Sequence, residues 1–357
     1  MEYEFKFNSS VVIETVVTEA ERMVIPAKVT SIKTGAFMNC KTVRYISVEQ
    51  GSNRYNSIDG VLFDKKDKSL VWYPSGKRQK EYVIPTGVEK INSLAFLDCR
   101  FLEKIVFLES LKQICPLAFD SCPLQSVVLP ASLEQFDNSA FWNCTALEEI
   151  RVDKNNKRYY DIDGVLYDRL KNKLCLYPPN RKNTTFSIPV QIKYIGRRAF
   201  DSYNRILKQI VLPEGLTVIP DKTFFNCTAL EKIEIPSMIT GIGRMAFANC
   251  QSLRHISLPD SQIWMGDKAF WGCSSLESIT MPEGISSISG EMFYGCKNLR
   301  DVTIPGSVKK IGKNAFTVDD ESSEKGWKNI PHLTIHAPKG SYAERYAQKE
   351  HIRFESQ

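Results

Sequence analysis

The chain has 357 residues, 43% of them hydrophobic and 25% charged, with 19 Gly and 17 Pro, a composition that excludes a disordered tract, collagen and a coiled coil. Its 47 basic and 41 acidic residues leave a net charge of +6, too small an excess to indicate a nucleic-acid partner. The chain opens with no basic stretch before an apolar run and nowhere holds about 18 consecutive apolar residues, so neither a signal peptide nor membrane insertion is expected.

Taken in chain order, Tyr3 to Phe7 and Val11 to Val17 alternate or run apolar and read as two strands of an N-terminal cap, residues 1–20. From residue 21 to residue 318 one phrase recurs, I-x-I-P-x-x-V-x-x-I-G-x-x-A-F-x-x-C-x-x-L. Pro213, Pro236, Pro259, Pro282 and Pro305 are spaced by 23 residues, and the phenylalanine returns at Phe37, Phe96, Phe119, Phe141, Phe200, Phe224, Phe247, Phe270, Phe293 and Phe316. So strict a period predicts a solenoid, because one such unit cannot bury its apolar face alone.

Two intervals are longer, Pro26 to Pro85 and Pro130 to Pro189, and the extra segments copy each other. Tyr55–Asp64 reads YNSIDGVLFD and Tyr159–Asp168 reads YYDIDGVLYD. In the first, Gly60 to Phe63 and Leu70 to Tyr73 are apolar runs around a polar Lys/Asp-rich turn, which predicts β-hairpin inserts at about 49–80 and 153–184, with Asp59-Gly60 and Asp163-Gly164 as turn residues entering them.

Within one repeat, Leu230 to Pro236 predicts a short strand with its isoleucines inward, ended by a proline that has no N–H for a ladder. Ile239, Ile242, Ala246 and Phe247 then return the chain, with Ala-Phe expected in a brief helical turn. The fold class is therefore an α/β repeat solenoid, with a parallel sheet on one face, short helical turns on the other and two inserted hairpins, in a single domain. Residues 319–357 read as a terminal loop, the strand Leu333 to Pro338 and a capping helix. Ser341 and Glu344 form a capping box, and Ala343, Tyr346 and Ala347 share one helical face.

These marks together, the 23-residue I-P, I-G, A-F and C repeat, the IDGVLF and IDGVLY segments followed by YP, and the closing KGSYAERYAQ, resemble the BspA-like leucine-rich repeat family over about Val24 to Phe354. The resemblance implies a leucine-rich-repeat solenoid on a bacterial or protist surface, or secreted, acting in adhesion or protein binding. No secretion leader or anchor is read in this sequence.

The chemistry-bearing residues point away from catalysis. Cys40, Cys99, Cys122, Cys144, Cys227, Cys250, Cys273 and Cys296 each follow the repeat phenylalanine by three, so they are expected in one buried slot rather than in disulfides or a metal site. The four histidines show no ligand spacing, and no nucleophile–base order, phosphate loop or dinucleotide motif appears. No cofactor and no metal is expected.

What remains is surface. The slot after the repeat phenylalanine carries Trp142, Phe225, Trp271 and Tyr294, candidate partner-binding anchors if exposed. The outward strand slots offer Lys232, His255, Ser257, Thr280 and Thr303 as candidate sheet-face contacts. The expected function is non-enzymatic binding of a protein or glycan. The competing readings are a structural spacer and an enzyme with a site beside a hairpin.

Overall fold

Each repeat proline ends a strand because it cannot donate to a neighbouring ladder, and Lys232–Glu234 accordingly stops before Pro236. Its inward residue, Ile233, is buried, while the flanking Lys232 and Glu234 are exposed. Such strands pair in parallel and in register, one coil against the next. The computed structural model describes residues 4–9, 12–200, 204–322 and 325–357; the predicted cap positions Tyr3 and Val11 lie outside the described residues. The chain divides into two units, Met1–Arg169 and Leu170–Gln357.

In the first unit this ladder joins Arg22–Ile25 to Tyr45–Val48, Glu81–Val83 to Lys104–Val106, and Ser126–Leu129 to Glu149–Val152. In the second it joins Thr185–Ser187, Gln209–Val211 and Lys232–Glu234, and further on Ser278–Thr280, Asp301–Thr303, Thr334–Ala337 and Arg353–Ser356. A second parallel ladder follows each turn. It links Ser69–Trp72, Lys90–Ile91, Gln113–Ile114 and Gln135–Phe136 in the first unit, and Val218–Ile219, Gly241–Ile242 and Trp264–Met265 in the second.

The expected α/β character is therefore corrected: the fold is a β-solenoid of leucine-rich repeats with very little helix. The Ala-Phe segment is not a helical turn, and its backbone explains why. The residue before it is left-handed in coil after coil, at Leu94, Leu117, Lys222, Met245 and Lys268 (φ 54° to 62°), and so is the residue before the cysteine, at Asp98, Asn226, Asn249 and Gly272 (φ 57° to 71°). Left-handed residues cannot propagate a right-handed helix. The turn amides instead bond across coils, as Phe224 N–H to Ala246 O (2.8 Å) and Phe247 N–H to Ala269 O (2.9 Å). The Asn, Asp or Gly before most column cysteines is the residue type that tolerates this conformation, and Ser121 before Cys122 adopts it too, at φ 61°.

The repeat phenylalanines form the spine of each unit. Phe96, Phe119 and Phe141 stack at 4.7 and 5.1 Å in the first, and Phe200, Phe224, Phe247, Phe270, Phe293 and Phe316 at 5.1–5.7 Å in the second. All are fully buried. The tyrosine of each "YP" takes the same slot, Tyr73 on Phe96 and Tyr177 on Phe200, both at 5.1 Å.

The two IDGVL segments fold as antiparallel pairs, Tyr55–Ile58 with Val61–Asp64 and Tyr159–Ile162 with Val165–Asp168. Both central residues of each turn have positive φ, 50° and 72° at Asp59 and Gly60, 48° and 77° at Asp163 and Gly164, the type I′ geometry for which Asp-Gly is selected. These pairs are not free-standing projections. Val61, Leu62, Val165 and Leu166 are all 0% exposed, and Arg54 and Arg158 pair with the buried carboxylates of Asp64 (2.6 Å) and Asp168 (3.1 Å).

Two caps close exposed ladder ends, which would otherwise offer unpaired strands. Glu4–Ser9 pairs with Val12–Val17, which pairs with Ser31–Ile32. At the other end the helix Tyr342–Lys349 is capped by Ser341 Oγ, which accepts from Glu344 N–H at 3.2 Å. The Glu344 carboxylate reaches back to Gly340 N–H, one residue earlier than a strict capping box. Ala343 and Ala347 are buried, and Tyr346 meets Phe316 edge-on at 6.2 Å.

Candidate functional site

The slot after the repeat phenylalanine lies on the turn between coils, and its backbone is part of the inter-coil ladder. Trp271 O accepts from Asn249 N–H and Tyr294 O from Gly272 N–H, both at 2.7 Å. Their backbones being fixed one coil apart, the two side chains run parallel, with 5° between ring planes and 6.3 Å between centroids. Both are half-buried. The Tyr294 hydroxyl donates to the Asp319 carboxylate. That bond, more than burial, pushes the phenol up to about 12.

Asp319 faces Trp327 across the antiparallel pair of Thr317–Asp319 with Trp327–Asn329. Paired residues share a face of such a ribbon, so Trp327 lies on the same face of this pair as Asp319. Of the four aromatic candidates, the structure brings together these two. Phe225 is half-buried under the Lys222 ammonium, 5.2 Å from its ring centre, and Ala248, fully buried, occupies the slot between it and Trp271. Trp142 belongs to the first unit and is half-buried.

The sheet-face candidates form a polar surface. Lys232 pairs with Glu234 at 2.9 Å, and His255 Nε2 lies 3.8 Å from Glu277. Ser257 sits beside Glu234 in a parallel bridge, and Thr280 beside Thr303, which in turn faces His336. His336 is held between Asp301 (2.8 Å) and Glu355 (3.5 Å). The Lys232–Glu234 and His255–Glu277 pairs are exposed, and such contacts contribute little free energy, whereas His336 is half-buried.

The sequence reading missed Trp264. It is 52% exposed on the second ladder, where its ring lies flat on Gly241; a β-carbon there would come within 2.0 Å of the indole. Tyr194, 57% exposed, holds the corresponding slot earlier in the same unit. The signal was present as Tyr194-Ile195 and Trp264-Met265, but a coil credited with one strand has no second outward slot in which to notice it.

All ten cysteines are buried thiols outside any disulfide. In the column each S–H donates to a backbone carbonyl about one coil earlier, as Cys122 to Phe96 O (3.0 Å), Cys144 to Phe119 O (3.1 Å) and Cys296 to Phe270 O (3.2 Å). Burial pushes Cys40 up to about 11 and Cys273 to about 12. Thiols so placed remain protonated and unreactive. Among the described residues no group of three His, Cys, Asp or Glu side chains is placed to hold a metal, and no helix is long and apolar enough to cross a membrane.

The chain is similar in fold to several solved bacterial proteins. The pneumococcal vaccine antigen PcpA matches with a TM-score of 0.70 and 22% identity, over 94% of this chain and 79% of that one. A leucine-rich cell surface protein from Faecalibacterium prausnitzii gives 0.59 and 23%, over 97% and 95%. A leucine-rich repeat protein from Eubacterium ventriosum gives 0.61 and 19%, over 92% and 100%. At these identities the likeness establishes the fold alone. No functionally curated protein matches. The BspA type leucine rich repeat region matches in six copies, over residues 17–69, 73–162 and 193–321, the stretches in which the cysteine and phenylalanine columns run. The chain belongs to the BspA-type leucine-rich repeat family.

Proposed function

We propose that the protein is a non-catalytic binding module that captures a protein or glycan partner at the turn surface of its second unit. The observation that carries this reading is the parallel Trp271–Tyr294 pair. Two large rings are held in register by the inter-coil ladder, and Tyr294 is fixed by Asp319. Aromatic anchors with a preset orientation lose little entropy on binding, and Trp and Tyr dominate binding energy where they occur. A family whose repeats are typically non-catalytic agrees with this role. The words "cell surface protein" and "vaccine antigen" in the descriptions of two structural neighbours support a surface setting. Trp264 and Tyr194 offer a second exposed aromatic face on the ladder of the same unit.

The test is a binding screen of surface proteins and glycan arrays with the wild type and with Trp271→Ser/Tyr294→Ser. Loss of the captured partner with an unchanged melting temperature supports the reading. Retained binding together with a marked fall in melting temperature would assign the two rings to the scaffold.

A further inference from the structure

The last coil of the second unit, the strand pair Thr317–Asp319 with Trp327–Asn329, and the cap helix Tyr342–Lys349 enclose a cleft of about 450 Å³. That lies within the roughly 300–1,000 Å³ of small-ligand sites. The buried capping residues Ala343 and Ala347 do not line this space, whereas Tyr346 both meets Phe316 and borders it.

Two features of the wall define a ligand. Trp327, Tyr342 and Tyr346 contribute rings, which suit a flat ligand with an apolar face. Lys313, Arg345 and Lys349 bring three cations against one carboxylate, Glu350, which lies 3.9 Å from Lys349.

The wall is also preset. Arg345 donates to Gly340 O at 2.9 Å and lies 5.8 Å from the Tyr342 ring centre, and Asn329 Nδ2 donates to Glu350 O at 2.6 Å. An inorganic anion would leave the rings unused. A neutral sugar would leave the cations unused.

We infer that this cleft binds an anionic sugar residue, one whose ring bears a carboxylate or a sulfate. The C–H face of the sugar lies on an aromatic ring, and Arg345 with Lys313 holds the anion. The site goes beyond the partner-binding reading above and uses neither Trp271 nor Tyr294, so the two stand or fall separately.

The experiment is calorimetric titration of the full chain with an oligogalacturonate, a heparin-derived tetrasaccharide, neutral cellotetraose and a tetraglutamate peptide. The expected result is saturable binding of at least one acidic saccharide, about tenfold tighter than cellotetraose. The two acidic probes separate a carboxylate from a sulfate. Arg345→Glu, at an exposed position, weakens that binding about tenfold with no change in melting temperature, and Trp271→Ser/Tyr294→Ser leaves it intact. Absence of saturation by either acidic saccharide below about 1 mM overturns the inference. So does unchanged affinity in Arg345→Glu, and so does equal affinity for tetraglutamate, which would make the cleft a site for acidic peptides.

Discussion

Cys273 donates its thiol hydrogen to the carbonyl oxygen of Phe247, one coil earlier, at 3.1 Å. The contact ties the cysteine column to the phenylalanine column and explains why a thiol, rather than another small apolar group, recurs in the slot. Cys273→Ala removes both the donor and the sulfur volume. The expected loss is about 1–2 kcal/mol by denaturant unfolding. A loss near zero would show that the S–H contact contributes nothing.

The same column sets a pH dependence. In the folded chain burial holds Cys273 protonated up to about 12, against 9.0 for an unperturbed thiol. The unfolded chain therefore releases protons first as pH rises, and stability that is complete below about pH 9 is lost progressively toward the folded value. Unfolding midpoints measured from pH 7 to pH 10.5 should decline above about 9. Replacing column cysteines with alanine should flatten that decline.

Stacking of coils also dictates particular glycines. A β-carbon on Gly266 would lie 2.3 Å from Arg244 N, whereas one on Gly215 meets nothing within 4 Å. Neither has a positive φ, so the comparison isolates inter-coil distance. Gly266→Ala is expected to cost about 1–3 kcal/mol by forcing backbones apart, and Gly215→Ala to change stability by less than about 0.5 kcal/mol. Equal melting temperatures for the two variants would contradict this.

Met245 is half-buried at φ 54°, a conformation unfavourable for its side chain. Met245→Asn places a residue that tolerates the left-handed region and should raise stability by about 0.5–1 kcal/mol. Thermal melts of the two proteins decide it, and a lowered midpoint would mean that the methionine's packing outweighs its backbone strain.

Tyr294 reports on the proposed binding surface without a ligand. Its hydroxyl is raised to about 12 chiefly by donation to the Asp319 carboxylate, so Asp319→Asn should bring its titration down toward about 10, the usual phenol value. Ultraviolet titration of wild type, Asp319→Asn and Tyr294→Phe resolves the change. An unshifted titration in Asp319→Asn would break the link between the two residues.

The repeat was legible in the sequence because every coil solves the same packing problem with the same residues. The prolines mark strand ends, Phe247 and its equivalents form the spine, and the cysteines fill one inward slot. Asp59-Gly60 and Asp163-Gly164 likewise specified tight strand reversals, since few residue pairs accept positive φ twice in succession. The KGSYAERYAQ segment announced its own helix through Ser341 and Glu344. All of these are local steric rules repeated or written into a few neighbouring residues.

The tertiary structure decided what depends on neighbouring coils. Ala-Phe suggested a helical turn because Ala and Phe permit one. Only the cross-coil bonds, such as Phe247 N–H to Ala269 O, show that the chain there adopts left-handed residues and forms a second parallel ladder nearby. Trp264 and Trp271 are both tryptophans in outward slots, yet one is 52% exposed over Gly241 and the other half-buried against Tyr294. The cleft between the last coil and the cap helix joins residues 311–350 through contacts that no period encodes. A repeat fixes which side chains point inward, because that is set by each residue's place in its own coil. Exposure, ring pairing and cavities arise from side chains in different coils, and their distances exist only once the stack has formed.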